Sequence, residues 1–162
     1  MVPRQQPPSI ERPPRVVLST IPSDSHTWNL LFLQLLLEEH GCDVANLGAC
    51  VPVETLVRES VQYLPDLIVV STVNGHGLHE GLDIAWAVRG SKELRHVPLV
   101  IGGKIDTSGS QTAADFGPLL DAGFDAVLVG GTAVPDLLSL LDRLPPAEPA
   151  AAPQRAYADA NV

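Results

Sequence analysis

Short apolar segments alternate with helix-forming segments along most of this chain. Each apolar run is nearly continuous rather than alternating, which is typical of strands that are buried on both faces of a parallel sheet. Strands followed each time by a helical segment favour a sheet covered by helices on both sides. The predicted strands span 16–18, 43–47, 67–70, 99–101 and 126–129, and the predicted helices span 28–40, 52–63, 78–89, 112–122 and 134–144. We therefore predict an α/β domain with a three-layer, doubly wound, five-stranded parallel sheet of the flavodoxin-like or Rossmann-like type.

Charge and composition limit the partners of such a domain. The chain has 162 residues and a formal net charge of -9, from 10 basic and 19 acidic side chains. Nucleic-acid-binding domains usually carry a basic face, so no nucleic-acid partner is expected. No apolar run reaches the roughly 18 residues that span a bilayer, and two cysteines make no disulfide framework. We therefore expect a cytoplasmic protein that has no membrane partner.

Both ends of the chain are rich in proline. Residues 1–14 contain five prolines, and residues 145–162 contain four among alanine and polar residues. Such segments bury too little apolar surface to offset the entropy of ordering them. We predict disordered termini at 1–14 and 145–162, and one folded domain at 15–144.

Ligands of parallel α/β sheets bind beyond the carboxyl ends of the strands, where the strand order reverses. The loops to consider are therefore 19–29, 71–81, 102–110 and 130–133. Three of the four are rich in Gly, Ser or Thr, which allow the backbone to approach a ligand closely. This composition favours a sizeable ligand over a small ion alone.

The first of these loops contains Asp24 and His26, two positions apart. A carboxylate at this spacing can accept the imidazole proton and make the other ring nitrogen a better metal ligand. Alternatively, Asp24 caps the following helix and His26 is an ordinary polar loop residue, which this loop alone favours. The absence of glycine between Thr20 and Asn29 excludes a glycine-rich phosphate loop.

Other reactive side chains do not form a recognisable motif. His76 and His79 have no third histidine or thiolate nearby in sequence, so we expect them to face solvent rather than bind a metal. Cys42 and Cys50 are expected to be small buried side chains. No Gly-x-Ser-x-Gly motif marks a serine hydrolase.

Together these loops resemble the cobalamin-binding domain family, most closely the glutamate mutase (methylaspartate mutase) small subunits. That family has Asp-x-His-x-x-Gly after the first strand, Ser-x-Leu after the third, and Gly-Gly after the fourth. The corresponding segments here are Asp24–Asn29, Ser71–Val73 and Gly102–Gly103, and Gly130–Thr132 also looks like the family's turn. Two residues depart from the pattern, because Asn29 replaces glycine and Val73 replaces leucine.

The resemblance implies that the cofactor's dimethylbenzimidazole leaves the cobalt and that His26 takes its place as lower ligand. Asp24 would then hydrogen-bond the second ring nitrogen, and the released nucleotide tail would enter a cleft beside the sheet. This cleft is expected to be lined by Ser71, Val73, Gly102, Gly103, Gly131 and Thr132. The full set of residues expected at the cofactor is Ser23, Asp24, Ser25, His26, Thr27, Asn29, Ser71, Thr72, Val73, Gly75, Gly102, Gly103, Lys104, Gly130, Gly131 and Thr132.

The resemblance also implies a function. The chain would be the cobalamin-binding component of an adenosylcobalamin-dependent mutase, an isomerase whose separate barrel-shaped large subunit binds the amino-acid substrate. It would then be inactive alone. The first alternative is a corrinoid carrier or sensor module without a mutase partner. Such modules often have a helical bundle before the cobalamin domain, which the proline-rich residues 1–14 are not expected to form. The second is a domain that has lost its cofactor.

One helix leaves a further choice open. The predicted helix 28–40 contains the run LLFLQLLL and is apolar nearly all round. Such a helix is either buried deep in its own domain or partly covered by another chain. The sequence supports both interpretations about equally.

Overall fold

A computed structural model of the chain describes residues 12–109 and 113–147. Within these residues one parallel sheet has the strand order β2-β1-β3-β4-β5, which confirms the predicted α/β architecture. None of the described helices has the length and apolar character of a membrane span. The strands are β1 Arg15–Thr20, β2 Asp43–Asn46, β3 Leu67–Thr72, β4 Leu99–Gly103 and β5 Ala126–Leu128; the helices are α1 Trp28–Glu39, α2 Val53–Tyr63, α3 Gly77–Gly90, α4 Gly117–Ala122 and α5 Ala133–Leu141.

The two faces of the sheet form two separate cores. Side chains of successive strand residues point to opposite faces, so Val16 and Leu18 lie on one face and Val17 on the other. The first face packs against α1 and α5, which contribute Leu30 and Leu137. The second packs against α2, α3 and α4, whose buried apolar residues include Leu56, Ile84 and Leu119.

β3 and β4 are longer than the apolar runs that predict them. Ser71 and Thr72 continue β3 and pair with Gly102 and Gly103 of β4. A Cβ on Gly102 would lie 2.8 Å from the carbonyl oxygen of Leu128, and one on Gly103 would lie 2.1 Å from that of Thr72. These glycines therefore allow neighbouring backbones to pack closely, whether or not a ligand is bound.

The predicted helix 112–122 is divided in two. Residues Ala113–Phe116 form one turn of 3₁₀ helix, and α4 begins only at Gly117. Pro118 follows at the start of α4, where its missing N–H costs no hydrogen bond. Position 112 lies outside the described residues, as do 1–11 and 148–162, which include most of the two predicted disordered termini.

Most of the apolar side chains of α1 are not buried. Only Leu30 and Leu37 are buried in it, whereas Leu31 is 57% exposed and Leu35 is 58% exposed. Trp28 and Phe32 are also at least half exposed. The interpretation that this helix lies deep within its own domain is therefore wrong.

Candidate functional site

The candidate site lies at the carboxyl edge of the sheet, meaning the ends of β1, β3, β4 and β5. The chain leaves β1 toward β2 on one side and later adds β3 on the other side of β1. The strand order therefore reverses between β1 and β3, which is where ligands bind in open parallel sheets. A hydrogen bond joins the loops that follow β1 and β3, because the N–H of Val73 donates to Asp24 Oδ2 at 2.7 Å.

Asp24 and His26 form a hydrogen-bonded pair at this point. His26 Nδ1 lies 2.7 Å from Asp24 Oδ1, and the same oxygen accepts the backbone N–H of His26 at 3.0 Å. The Asp24 side chain is 1% exposed, whereas that of His26 is 47% exposed. Asp24 does not cap α1, because Thr27 occupies the cap position and makes no side-chain capping bond. The capping interpretation of Asp24 is thus wrong.

Hydrogen bonds keep Asp24 ionised despite its burial. Desolvation by itself would raise the pKa of Asp24, but bonds from the N–H groups of Val73 and His26, the His26 ring and Thr72 outweigh it. The pKa of Asp24 therefore lies below its ordinary value. An ionised carboxylate can only accept hydrogen bonds, so His26 Nδ1 is the donor. In the neutral ring this leaves the lone pair of Nε2 free for a metal ion.

The loop that carries this pair is anchored by residues that sequence reasoning missed. The N–H of Ser23 donates to Glu80 Oε2 at 3.0 Å, and Asn74 Nδ2 donates to Ser23 Oγ at 2.9 Å. The N–H of Cys50 donates to the carbonyl of Asp24 at 2.8 Å. Asn74 and Glu80 lie inside the segment 71–81 that the sequence does single out, but only the folded chain shows what they contact.

A cavity of about 110 Å³ opens beside the sheet, between α1 and α5. Among its described lining residues only Asn29 and Ser71 carry polar side-chain groups, and the Asn29 amide donates a hydrogen bond to the Ser71 hydroxyl. The lining residues are Asn29, Phe32, Leu33, Val69, Val70, Ser71, Gly102, Gly103, Leu128, Ala133, Val134 and Leu137.

Half of the residues expected at the cleft line this cavity. Ser71, Gly102 and Gly103 do so, whereas Val73, Gly131 and Thr132 do not. The apolar walls from α1 and α5 were not foreseen, because residues such as Leu33 and Leu137 look like ordinary core residues in sequence. Asn29 was singled out only as a departure from a motif.

The other expected site residues lie along the same edge, and of these Thr72 contributes a side-chain hydrogen bond to Asp24. Ser23, Ser25, Thr27, Lys104 and Gly130 are exposed, while Thr72 is buried. The N–H of Lys104 donates to the carbonyl of Thr72 at 2.8 Å. Gly75 has a φ of +86°, and a Cβ there would meet the Thr107 side chain at 2.7 Å.

Histidines and cysteines outside the motif form no second site. His76 and His79 are exposed, as predicted. No group of three or more potential metal-binding side chains is found in residues 12–109 and 113–147. Cys42 is buried as expected, but the prediction for Cys50 is wrong, because Cys50 is exposed in the loop after β2 with a φ of 52°.

Comparisons with known proteins agree with this geometry. The B12-binding domain family matches residues 14–132. A glutamate mutase sigma subunit from Fusobacterium nucleatum is 29% identical over 126 residues, covering 76% of this chain and 90% of that protein. A glutamate mutase sigma subunit from Treponema denticola is 32% identical over 127 residues, covering 74% of this chain and 86% of that protein. The crystal structure of a cobalamin-binding protein from Desulfitobacterium hafniense is similar with a TM-score of 0.63 at 21% identity, over 83% of this chain and 60% of that one.

Proposed function

This chain belongs to the B12-binding domain family, and from this premise we propose that it is the cobalamin-binding subunit of a glutamate mutase-type, adenosylcobalamin-dependent mutase. The observation that carries the proposal is the Asp24–His26 pair, 2.7 Å apart at the point where the strand order reverses. When bound, adenosylcobalamin supplies the radical chemistry through its cobalt–carbon bond. The protein's part is to bind and orient the cofactor and to set its electronic environment.

The donor set at the edge fits a cobalt ligand. The ionised Asp24 fixes the His26 tautomer and the orientation of the ring, as carboxylates do beside metal-bound histidines. The ring is half exposed, so a large planar cofactor can reach it from solvent. We therefore assign His26 as the lower ligand of cobalt, with Asp24 as the group that orients it.

The side chains that line the cavity beside the sheet suit the released nucleotide tail. Its walls from α1, α5 and the sheet are mostly apolar, which suits a flat dimethylbenzimidazole ring. Ser71, Gly102 and Gly103 line this cavity, and we assign them to the tail. Around it we assign the remaining cofactor contacts to Ser23, Ser25, Thr27, Thr72, Val73, Gly75, Lys104, Gly130, Gly131 and Thr132, and Asn29 lines the same cavity.

A separate subunit would bind the substrate. An amino-acid substrate needs a cation for its carboxylate, but several arginines here are paired away from the carboxyl edge. Arg12 pairs with Asp66 just before β1 and β3, and Arg89 pairs with Asp125 just before β5. Arg58 pairs with Glu59 within α2. The exposed apolar side of α1 follows directly after His26 and offers a surface for the large subunit.

Retention of a corrinoid tests the cofactor assignment. The purified chain is incubated with hydroxocobalamin and desalted, and its absorption spectrum is compared with that of His26→Ala. We expect the wild type to retain the corrin and His26→Ala to lose it or to change its spectrum. His76→Ala is the matched control, because His76 is an exposed histidine at the same edge that is not assigned to cobalt.

The identity of the ligand is tested by electron paramagnetic resonance of the bound Co(II) form. Nitrogen coupling should change when the chain is produced with ¹⁵N-labelled histidine, because a directly bound imidazole nitrogen couples to the unpaired electron. An unchanged pattern would contradict ligation by His26.

Turnover separates the mutase subunit from a carrier module. We expect no conversion of glutamate by this chain with adenosylcobalamin alone, and conversion after a glutamate mutase large subunit is added. Corrinoid binding that never supports turnover with such a subunit would favour a carrier or sensor module instead.

A further inference from the structure

The Asn29–Ser71 hydrogen bond joins two residues that line the cavity that we assign to the nucleotide tail. Asn29 lies in the first turn of α1, and Ser71 lies near the end of β3. Ser71 is 3% exposed and Asn29 is partly buried. The bond therefore joins the helix to the sheet at the polar end of an otherwise apolar cavity.

We propose that the Asn29–Ser71 bridge is a gate that competes with the nucleotide tail for the cavity and so reduces the affinity for complete cobalamin. This inference rests on the proposed function. Among the described lining residues, Asn29 and Ser71 carry the only polar side-chain groups, so a tail that hydrogen-bonds to Ser71 competes with the Asn29 amide for it. The affinity that is measured then equals the intrinsic affinity reduced by the fraction of molecules in which the bridge is open.

The rest of the cavity offers no replacement for the broken bond. The other side chains that line it, among the described residues, are apolar or absent, as in glycine. A neutral hydrogen bond of this kind has a net value that corresponds to roughly a two- to tenfold change in an equilibrium constant. The gate is thus expected to modulate binding without preventing it.

Dissociation constants of Asn29→Ala test the gate with two ligands. Hydroxocobalamin has the nucleotide tail, whereas cobinamide has the corrin ring without it. We expect Asn29→Ala to bind hydroxocobalamin about two- to tenfold more tightly than the wild type, with no change for cobinamide. Alanine favours helix formation, so α1 should remain folded in this variant.

A second variant shows whether the effect passes through Ser71. In a Ser71→Ala background the bridge is already absent, so adding Asn29→Ala should no longer increase the affinity. The matched control is Asn46→Ala, because the Asn46 amide also bonds α1, through Gln34 Oε1 at 3.0 Å, but does not line the cavity. This control should bind both ligands as the wild type does.

The outcomes separate the gate from the proposed function. Equal affinities for hydroxocobalamin in wild type and Asn29→Ala, with a spectrum that depends on His26, would overturn the gate alone. The same tightening for cobinamide, or in the Ser71→Ala background, would also overturn it. Failure of all these proteins to bind either corrinoid would overturn the proposed function and the gate together.

Discussion

At the scale of single residues, Asp24 links the loop after β1 to the loop after β3, the two strands between which the strand order reverses. Its two oxygens hold the His26 ring and the N–H of Val73, at 2.7 Å in both cases. Nearly complete burial makes the loss of these bonds costly, because hydrogen bonds to a charged group are stronger than neutral ones. One side chain therefore serves both the site and the fold.

Asp24→Asn should make stability less dependent on acid pH. The pKa of folded Asp24 is lowered, so its charge stabilises the fold above the unfolded-state pKa of about 3.9. This contribution is lost as the pH falls through the lower, folded-state pKa. We expect the variant to lose about 1–3 kcal/mol at pH 7 and to show a smaller further loss than the wild type on acidification.

Urea unfolding between pH 2 and pH 7 measures this difference. Asp83→Asn is the control, since Asp83 is exposed on α3. Parallel pH profiles of the wild type and Asp24→Asn would contradict the assignment of this stabilisation to Asp24.

Gly103→Ala should destabilise the protein in the absence of any cofactor. Gly103 has a φ of +105°, and an added Cβ would lie 2.1 Å from the Thr72 carbonyl oxygen. Both the strained backbone and the close contact predict a loss of about 2–4 kcal/mol in unfolding free energy. Chemical unfolding followed by circular dichroism measures it.

Gly131→Ala is the matched control for that prediction. A Cβ at Gly131 meets no atom within 4 Å, so its effect should stay within about 0.5 kcal/mol. Equal unfolding free energies of the two variants would contradict the prediction, because they would mean that the backbone near Thr72 moves away from the added Cβ without loss of stability.

At the scale of elements, α1 differs from the other helices in what it leaves uncovered. Its buried residues Leu30 and Leu37 pack on the sheet, whereas Leu31 and Leu35 remain largely exposed. A helix of this composition normally buries more than one narrow stripe. The exposed side also begins beside the residue that we assign to cobalt.

Leu31→Glu combined with Leu35→Glu should weaken association with a glutamate mutase large subunit. Both side chains are already more than half exposed, so folding stability should change by no more than about 0.5 kcal/mol each. Retention of hydroxocobalamin should be unchanged. Sedimentation velocity of the mixed subunits measures the association.

Trp86→Glu controls for the loss of any exposed apolar residue. Trp86 is 60% exposed but lies on α3, which packs on the opposite face of the sheet. Unaltered association of the α1 variant, or equal weakening by Trp86→Glu, would contradict the assignment of this surface.

At the scale of the whole molecule, the two ends of the sheet have different roles. The carboxyl edge holds the candidate site, whereas the opposite end is fastened by Arg89 of α3. Its guanidinium donates to the carbonyls of Gly123 and Val97 and pairs with Asp125 at 2.8 Å. These bonds connect α3 to the segments that lead into β4 and β5.

Arg89→Met should therefore reduce stability and leave cofactor binding intact. Methionine keeps an unbranched apolar chain but cannot donate hydrogen bonds, so we expect a loss of about 2–3 kcal/mol. Thermal unfolding measures this loss, and desalting with hydroxocobalamin measures binding at a temperature where the variant is folded. His26→Ala should impair binding and lose less stability than Arg89→Met, because it removes only the ring bond to Asp24 and leaves the other Asp24 bonds in place.

The sequence was sufficient for the order of the strands and helices, although it did not predict the 3₁₀ turn before α4. Continuous apolar strands and regularly spaced helices are local properties, and they predicted the five-stranded parallel sheet that the structure contains. The proximity of Asp24 and His26 was also a local property, since the two residues are only two positions apart in the loop after β1. Strand ends were less predictable, because Ser71 and Gly102 extend strands through pairing with a neighbour rather than through their own preference.

Contacts between distant segments were decided by the tertiary structure alone. Whether Asp24 capped a helix or oriented His26 depended on Val73, which is 49 residues away. The Asn29–Ser71 bridge, the exposed side of α1 and the apolar walls of the cavity depend equally on how helices pack on the sheet. Local sequence sets which conformation each segment prefers, whereas close packing of the whole chain sets which side chains meet.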